Sequence, residues 1–487
     1  MRQLSKSRLL VSGVILTGIV LIIGAILIIS GEADKPSSYQ VLSQLSESDD
    51  ECVVCHAEQT PGIANQYARS DHFKNDVSCA DCHTVDETYP GAQKHPEQEY
   101  YVLAKSSPAK CQNCHRQQVE QFNFSRHALP SYVAYAGSEI LSPDHLALYQ
   151  SIPEGGSLPG GKARNSLHAL EGEDITKFAC ETCHNVGKPN PDQSVGDCTA
   201  CHLRHEFSLE QVRKPETCNA CHIGPDHPQW EIYQESPHGI AYMTMGDDWN
   251  WDAEPGTLTT VDFAAPTCAT CHFSGFGLSA TTHDVGDRLS WFLAASISAQ
   301  RPSAVENRLR MQNVCTACHS AQYIQDFYTN ADALTTAVND LVMFSDKMMQ
   351  PLKDNNLLTA APFDEPIDYV YYEVWHHWGR TTKFGAWMQG PDYTQWHGAY
   401  ELLKDLSELR ELIDAKLVAA GLEPLNLPEG FPSLESARAY LYPPTEIAPT
   451  ETPTEVPTEA PAATEEPTEV VTETATEVPT ETATQAP

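Results

Sequence analysis

The residues of this chain with the clearest chemistry are its cysteines, because all of them occur in one repeated motif. Eight copies of Cys-x-x-Cys-His contain all 16 cysteines of the 487-residue sequence. In this motif each thiol can add across one vinyl group of a haem, and the histidine can bind the iron. We therefore predict eight covalently bound haem c groups. Their attachment residues are Cys52, Cys55, Cys79, Cys82, Cys111, Cys114, Cys180, Cys183, Cys198, Cys201, Cys218, Cys221, Cys268, Cys271, Cys315 and Cys318.

An array of zinc sites is the alternative interpretation of these cysteines. Zinc sites would pair the dithiols with one another, and they would not need a histidine at the same position in every copy. The haem interpretation also uses every thiol, so it leaves none for a structural disulfide.

Histidines supply the predicted iron ligands on both faces of the haems. The first set is formed by the motif histidines His56, His83, His115, His184, His202, His222, His272 and His319. The chain has 8 methionines and 20 histidines, so twelve histidines remain outside the motifs, and this supply favours bis-histidine irons over methionine ligation. The predicted distal ligands are His72, His95, His127, His168, His205, His238, His283 and His397.

The sequence pattern around some of these histidines also predicts local structure. His72, His127, His168 and His238 each occur in Ser-x-His, which is typical of helix starts. His205 lies three residues after His202, so the two should serve different haems. Twelve spare histidines could complete seven or eight irons, and the count therefore leaves open whether one iron keeps a free face.

The net charge of the chain limits the classes of partner that it can bind. A formal net charge of −36 argues against nucleic acid or an anionic membrane surface as a partner. A basic redox partner, such as a cytochrome or a quinone-linked protein, or a small neutral substrate fits better.

The N-terminus predicts a location outside the cytoplasm. Arg2, Lys6 and Arg8 precede an uncharged apolar run from Leu9 to Ile29, which is long enough to cross a bilayer. We predict a cytoplasmic flank at residues 1–8 and a transmembrane anchor at residues 9–30, with a cleaved signal peptide as the alternative. Either version places the haem region on the outer face of the cytoplasmic membrane, periplasmic or extracellular.

The composition and hydrophobic pattern of the rest of the chain divide it into four predicted segments. Residues 31–50 form a linker, residues 51–320 an octahaem domain with a haem-packed core, and residues 321–443 a C-terminal helical region. Residues 444–487 are Pro/Thr/Glu-rich and predict a disordered tail. The fold class is therefore mainly α, a multihaem cytochrome c domain followed by long C-terminal helices.

Two apolar stripes at helical spacing support the C-terminal helices. The first consists of Leu334, Ala337, Leu341, Val342 and Met348. The second consists of Leu402, Leu403, Leu406, Leu409, Leu412 and Ile413, and its opposite face carries Glu401, Lys404, Asp405, Glu408 and Glu411.

Several short segments outside the motifs resemble the hydroxylamine oxidoreductase family of octahaem cytochromes c, which includes hydrazine-oxidising relatives. They are Gly-Pro-Asp-His-Pro-Gln-Trp at 224–230, Ser-Pro-His-Gly at 236–239, Thr-His-Asp-Val-Gly-Asp-Arg at 282–288 and Gly-Pro-Asp-Tyr-Thr-Gln-Trp-His-Gly at 390–398. The similarity covers roughly residues 50–420.

The resemblance implies a homotrimer with seven bis-histidine haems and one catalytic haem, that of Cys180, Cys183 and His184. In oxidative members a tyrosine from a neighbouring subunit is joined covalently to this haem, and the matching residue here is Tyr393. Asp226 and His227 resemble the family's distal acid–base pair, and Tyr323 is a further candidate for the distal pocket. The implied activity is the oxidation of hydroxylamine to nitric oxide or nitrite.

Three other functions remain open from the sequence. Hydrazine could be the substrate in the same architecture. A reductase would convert nitrite or hydroxylamine to ammonia on an unmodified fourth haem. A non-enzymatic electron conduit would have eight six-coordinate irons.

Overall fold

Short helices make up the part of the chain that carries the motifs. The computed structural model describes residue 45 and residues 48–152, 164–203 and 205–443. Within residues 51–320 the α-helices are Glu51–Gln59, Pro61–Tyr67, Asp71–Lys74, Cys79–His83, Pro108–Cys111, Arg116–Phe124, Leu129–Ala136, Pro143–Ser151, Ser166–Glu171, Glu173–Thr176, Cys180–His184, Leu209–Arg213, Glu216–Asn219, Gln229–Glu235, Pro237–Met245, Cys268–His272 and Ala304–Cys315. Single 3₁₀ turns occur at Asn185–Gly187, Cys198–Ala200 and Gly246–Asp248.

Polar caps explain where several of these helices begin. The Ser78 hydroxyl accepts a hydrogen bond from the Asp81 backbone N–H and starts the motif helix Cys79–His83. Thr267 does the same for Cys268–His272. One helical turn places the two cysteines and the histidine of a motif on one side, since residues three and four apart are neighbours.

The Ser-x-His pattern predicts helix starts correctly in three of its four places. Ser70 caps the helix that carries His72, and Ser236 caps the helix that carries His238. The helix of His168 begins at Ser166 and is capped by Asn165. The fourth place differs, because Ser125 lies at the C-terminal end of the helix Arg116–Phe124.

The described β-strands form one small antiparallel sheet. Its strands are Thr84–Val85, Gln93–Lys94 and Tyr101–Val102, and the last of these lies in the centre. Val102 pairs with Thr84 on one side and with Gln93 on the other.

Long helices form the C-terminal part of the described chain. Ala321–Asp354 has 34 residues and begins directly after the eighth motif. The remaining helices are Pro366–Glu373, Gly379–Met388, Pro391–Thr394, Glu401–Ala419 and Leu434–Leu441, and π-helical turns occur at Val374–Trp378 and Gln395–Tyr400.

Both predicted apolar stripes face the core between these helices. Leu402, Leu406, Leu409 and Ile413 are fully buried and pack in one cluster with Val342, Leu341 and Met348 of the long helix, while Leu334, Leu403 and Leu412 are partly buried against it. The prediction that Asp405 lies on the exposed face is wrong. Asp405 is buried, and its Oδ2 accepts a hydrogen bond of 2.7 Å from Trp378 Nε1, which satisfies the buried carboxyl group.

The predicted anchor at residues 9–30, its flank at residues 1–8 and the predicted tail at residues 444–487 lie outside the described residues. So does most of the predicted linker at residues 31–50. Among the residues that are described, no helix has the length and apolar character needed to cross a membrane. These residues all belong to one compact unit that ends at Pro443.

Candidate haem sites and the pocket of the fourth motif

Two motif histidines, His83 and His184, are oriented to offer Nε2 to an iron. The Nδ1 of His184 donates to the Ser131 carbonyl at 2.6 Å, and that of His83 to the Leu103 carbonyl at 2.7 Å. Carbonyl oxygens can only accept, so Nδ1 carries the proton and Nε2 keeps its lone pair. These two side chains therefore fit haem ligation.

Besides His184 of the fourth motif, six of the motif histidines face a second imidazole at the separation that a shared iron requires. Two metal–nitrogen bonds of about 2 Å, with about 1 Å from each nitrogen to its ring centre, place two axial imidazoles about 6 Å apart. The ring centroids of the six pairs are 6.0–6.4 Å apart: His56–His95, His115–His72, His83–His205, His222–His127, His202–His283 and His319–His238. The pairing of His205 with His83 agrees with the expectation that His202 and His205 serve different haems.

Two predicted distal ligands lie in other surroundings. His168 is buried, its Nδ1 accepts a hydrogen bond of 2.5 Å from Arg164 Nε, and its ring packs on Tyr135. The His397 side chain is 58% exposed, and its Nδ1 lies 2.6 Å from an Asp392 carboxylate oxygen. Within the described chain, His397 therefore pairs with an aspartate on the surface and not with a motif histidine.

The fourth motif has a different group of side chains opposite its histidine. The ring centroid of His227 lies 6.3 Å from that of His184, at an interplanar angle of 78°. The Nδ1 of His227 lies 2.8 Å from Asp226 Oδ2. With Nδ1 turned to this carboxylate, Nε2 is the free nitrogen of His227.

Asp226 has two further partners that sequence reasoning missed. Its Oδ1 lies 3.0 Å from His376 Nδ1 and 3.1 Å from Arg380 NH1. The same Arg380 nitrogen lies 3.0 Å from His376 Nε2. The only sequence signal was the pair His376-His377 beside an arginine in an aromatic-rich stretch.

These partners set the charges in the pocket. Burial acts to raise the pKa of Asp226, but the hydrogen bond from His227 and the positive charge of Arg380 hold it well below its usual range. Burial, together with the charge of Arg380, lowers the pKa of His376 to about 3 against the opposing effect of Asp226. At neutral pH the pocket therefore holds an ionised Asp226, a cationic Arg380 and a neutral His376.

Different elements bring these residues together. Asp226 and His227 lie in the turn before the helix Gln229–Glu235, whereas His376 and His377 lie in the π-helical turn Val374–Trp378. Arg380 follows in the first turn of Gly379–Met388. The buried Lys383 anchors this helix, because its Nζ donates to Ser298 Oγ at 2.7 Å.

A second metal is disfavoured in this cluster. Ligand atoms of Asp226, His376 and His377 lie within 4.8 Å of one another, which is close enough to hold an ion. However, the guanidinium of Arg380 already lies beside the carboxylate, and it would repel a second cation.

The two predicted tyrosines lie at different places. The Tyr393 ring stacks on His397 at 5.1 Å, and its backbone N–H donates to Glu235 Oε1 at 3.2 Å. The Tyr323 ring stacks on His319 of the eighth motif at 4.5 Å. The structure thus places Tyr323 at the eighth motif, and a contact of Tyr393 with a neighbouring subunit stays a prediction.

Comparison with known proteins gives the family. Residues 75–366, more than half of the chain, match the family described as seven times multi-haem cytochrome CxxCH. The chain belongs to this multihaem cytochrome c family. Residues 30–84 also match cytochrome c554 and c-prime. Covalent c-type haems are therefore the cofactors of the motifs.

Individual relatives support the predicted resemblance and the mainly α fold. The chain is 29% identical over 243 residues to a probable nitrite reductase-hydroxylamine oxidoreductase fusion protein of Kuenenia stuttgartiensis, a match that covers 46% of this chain and only 25% of that protein. A solved hypothetical multiheme protein matches with a TM-score of 0.66 and 21% identity, over 80% of this chain and 100% of that one. A reducing HAO-like protein complex of Kuenenia stuttgartiensis matches with a TM-score of 0.56 and 19% identity, over 78% and 87%. The resemblance to the hydroxylamine oxidoreductase family is confirmed, and so is the multihaem α-helical fold.

Proposed function

We propose that this multihaem cytochrome is an oxidoreductase that oxidises hydroxylamine to nitric oxide or nitrite at the haem of the fourth motif. The proposal includes a haem on each of the eight motifs, seven of them bis-histidine, and a homotrimer in which Tyr393 of a neighbouring subunit is bound to the fourth haem. The observation that carries it is the ionised Asp226 holding the His227 imidazole opposite His184.

The chain's own residues supply proton transfer in this reaction. The haem, when bound, would accept electrons from the substrate. His227 takes up substrate protons at Nε2, because Nδ1 is engaged by Asp226. Asp226 itself is held ionised by His227 and Arg380, so its role is to orient His227 and to stabilise its protonated form. The six spaced histidine pairs provide low-spin sites through which electrons leave.

The Tyr393 link gives a direct test. Mass spectrometry of the peptide containing Cys180 should show a branched peptide that includes Tyr393 in the wild type. Tyr393→Phe should lose both the branch and hydroxylamine oxidation, because the modified haem is what favours withdrawal of electrons. Tyr400→Phe changes an exposed tyrosine of the same segment and serves as the control. An unbranched wild-type peptide would remove the oxidative assignment.

Two observations favour alternatives that the same preparations can examine. The Arg380 guanidinium beside the distal imidazoles suits an anion, which favours reduction of nitrite. Such a reductase would have an unbranched fourth haem and activity with a low-potential donor. The 6.3 Å separation of His184 and His227 also fits a bis-histidine iron and an electron conduit. A conduit would show only low-spin signals in electron paramagnetic resonance of the oxidised protein, whereas an open fourth iron gives a high-spin signal.

Hydrazine is an alternative substrate to hydroxylamine in the same pocket, and steady-state rates with each compound decide between them.

The location and the partner belong to the same proposal. A basic flank and an apolar run at the N-terminus support anchoring on the outer face of the cytoplasmic membrane. The acidic chain would pass its electrons to a basic redox partner.

A further inference from the structure

Arg380 carries a hydrogen-bond donor that no described protein atom uses. Its side chain is only 15% exposed, and NH1 contacts both Asp226 and His376. The Nε–H is buried and has no hydrogen-bond partner among the described residues. A buried donor on a charged group is costly to leave unpaired, so this geometry is suited to a ligand that brings an acceptor.

We propose that Arg380 is the residue that binds an oxyanion of nitrogen, nitrite, in the pocket of the fourth motif. This inference rests on the proposed function, in which nitrite is the product of the four-electron oxidation, and it names the group that holds it. A planar guanidinium presents its donors in a fixed fork, which matches the two oxygens of nitrite.

The surroundings of Arg380 fix that fork in place. Its guanidinium carbon lies 5.7 Å from the Trp375 ring centre, in a cation–π contact, and NH1 is held by Asp226 and His376. The other oxygen of Asp226 holds His227, whose ring faces His184. The Asp226 carboxylate therefore connects the Arg380 guanidinium to His227, the imidazole that faces His184.

The carboxylate that contacts Arg380 is already paired. Both oxygens of Asp226 face nitrogen donors, whereas Glu373 and Glu171 act on His377 and Tyr372 only through their charge. Tyr372 stacks on His376 at 4.2 Å, and burial together with the charge of Asp226 raises the pKa of its hydroxyl, so it stays neutral. A haem propionate is the other carboxylate-like ligand that a buried arginine could hold, and the experiment separates the two.

Ligand binding to the oxidised holoprotein tests the proposal without turnover. Wild type, Arg380→Gln and Arg380→Lys are titrated with nitrite and with neutral nitric oxide, and the spectral change of the fourth haem is followed. Arg380→Gln should raise the dissociation constant for nitrite by about tenfold or more and that for nitric oxide by less than about twofold. Arg380→Lys should recover part of the nitrite affinity, because it keeps the charge and loses the fork. Arg410→Gln removes the same charge from an exposed pair with Asp414 and should leave both constants unchanged.

Each other outcome overturns the assignment in a distinguishable way. Unchanged nitrite affinity in Arg380→Gln, while the wild type still binds both ligands and oxidises hydroxylamine, removes the role of Arg380 alone. Equal weakening of both ligands, with a shifted haem potential, means that Arg380 holds a propionate. Failure of the wild type to bind either ligand removes the proposed function and this inference together.

Discussion

At the scale of single residues, Asp226 shows how partners can outweigh burial. An isolated buried carboxyl tends to stay protonated, yet the hydrogen bond from the adjacent His227 and the charged Arg380, from a distant part of the chain, keep this one ionised. The carboxylate therefore works as an organiser of imidazole and guanidinium groups. Its own basicity is too low for it to take up protons at neutral pH.

Asp226→Asn should separate orientation from ligand binding. The amide can no longer stabilise a protonated His227, so kcat for hydroxylamine oxidation should fall by about 10²-fold or more while the haem spectrum is unchanged. Steady-state kinetics measure this change. A rise in KM with an unchanged kcat would mean that Asp226 contributes only to substrate binding.

The same variant has a defined effect on the pH dependence of stability. The folded pKa of Asp226 lies below its unfolded value of about 4, so the ionised group stabilises the fold above that pH. This stabilisation is lost as the pH falls through the folded pKa. The difference in Tm between wild type and Asp226→Asn should thus be largest at neutral pH and shrink on acidification below about pH 4.

At the scale of elements, the π-helical turn Val374–Trp378 positions the missed pocket residues. A wide turn holds one more residue than an α-helical turn, so it changes the direction of the side chains that follow. His376 on this turn and Arg380 just after it both reach Asp226. Hydrophobic periodicity predicts regular helices only, and this is why the sequence did not point to these residues.

The helix Glu401–Ala419 offers a second test at this scale. Burial raises the pKa of Asp405 to about 6, although the hydrogen bond from Trp378 opposes the shift. Since the folded pKa lies above the unfolded one, ionisation destabilises the fold progressively between about pH 4 and 6 and fully above that range. Asp405→Asn, which can still accept from Trp378, should stabilise the protein by about 1–2 kcal/mol at pH 8 and by little at pH 4.

Thermal unfolding at the two pH values measures this effect, with Glu408→Gln as the control. Glu408 lies on the same helix but is exposed, so its neutralisation should leave Tm nearly constant. A destabilised Asp405→Asn at pH 8 would mean that the hydrogen bond from Trp378 needs the charge.

At the scale of the whole molecule, sequence and structure agree where the chemistry is local. The motif predicts each attachment site within five residues, and six of the predicted distal histidines lie opposite a motif histidine. Which histidine meets which motif depends on contacts between distant segments, as with His83 and His205, and no local pattern encodes these. Asp405 was misplaced for a related reason, because helical periodicity could not show the partner on Trp378.

The net charge of −36 predicts how the rate of association with the proposed basic redox partner depends on salt. Electron transfer to a basic cytochrome should slow as salt is raised from 0.01 to about 0.5 M, since the Debye length falls from about 30 Å to a few ångströms. Stopped-flow rates across this range measure the slope. An acidic cytochrome should show the opposite slope, and a flat response with both would argue against electrostatic steering.

The histidine pairings also differ in how much of the chain each one spans. His115 lies opposite His72, which precedes it, so both histidines of this pair are present once the third motif is complete. His83 lies opposite His205, and the third, fourth and fifth motifs lie between them in the sequence. In the proposed bis-histidine arrangement, a chain truncated before His205 would therefore keep its second haem half-ligated while its third is complete. Under that proposal, the order in which the metal centres can be completed differs from the order of their motifs along the chain.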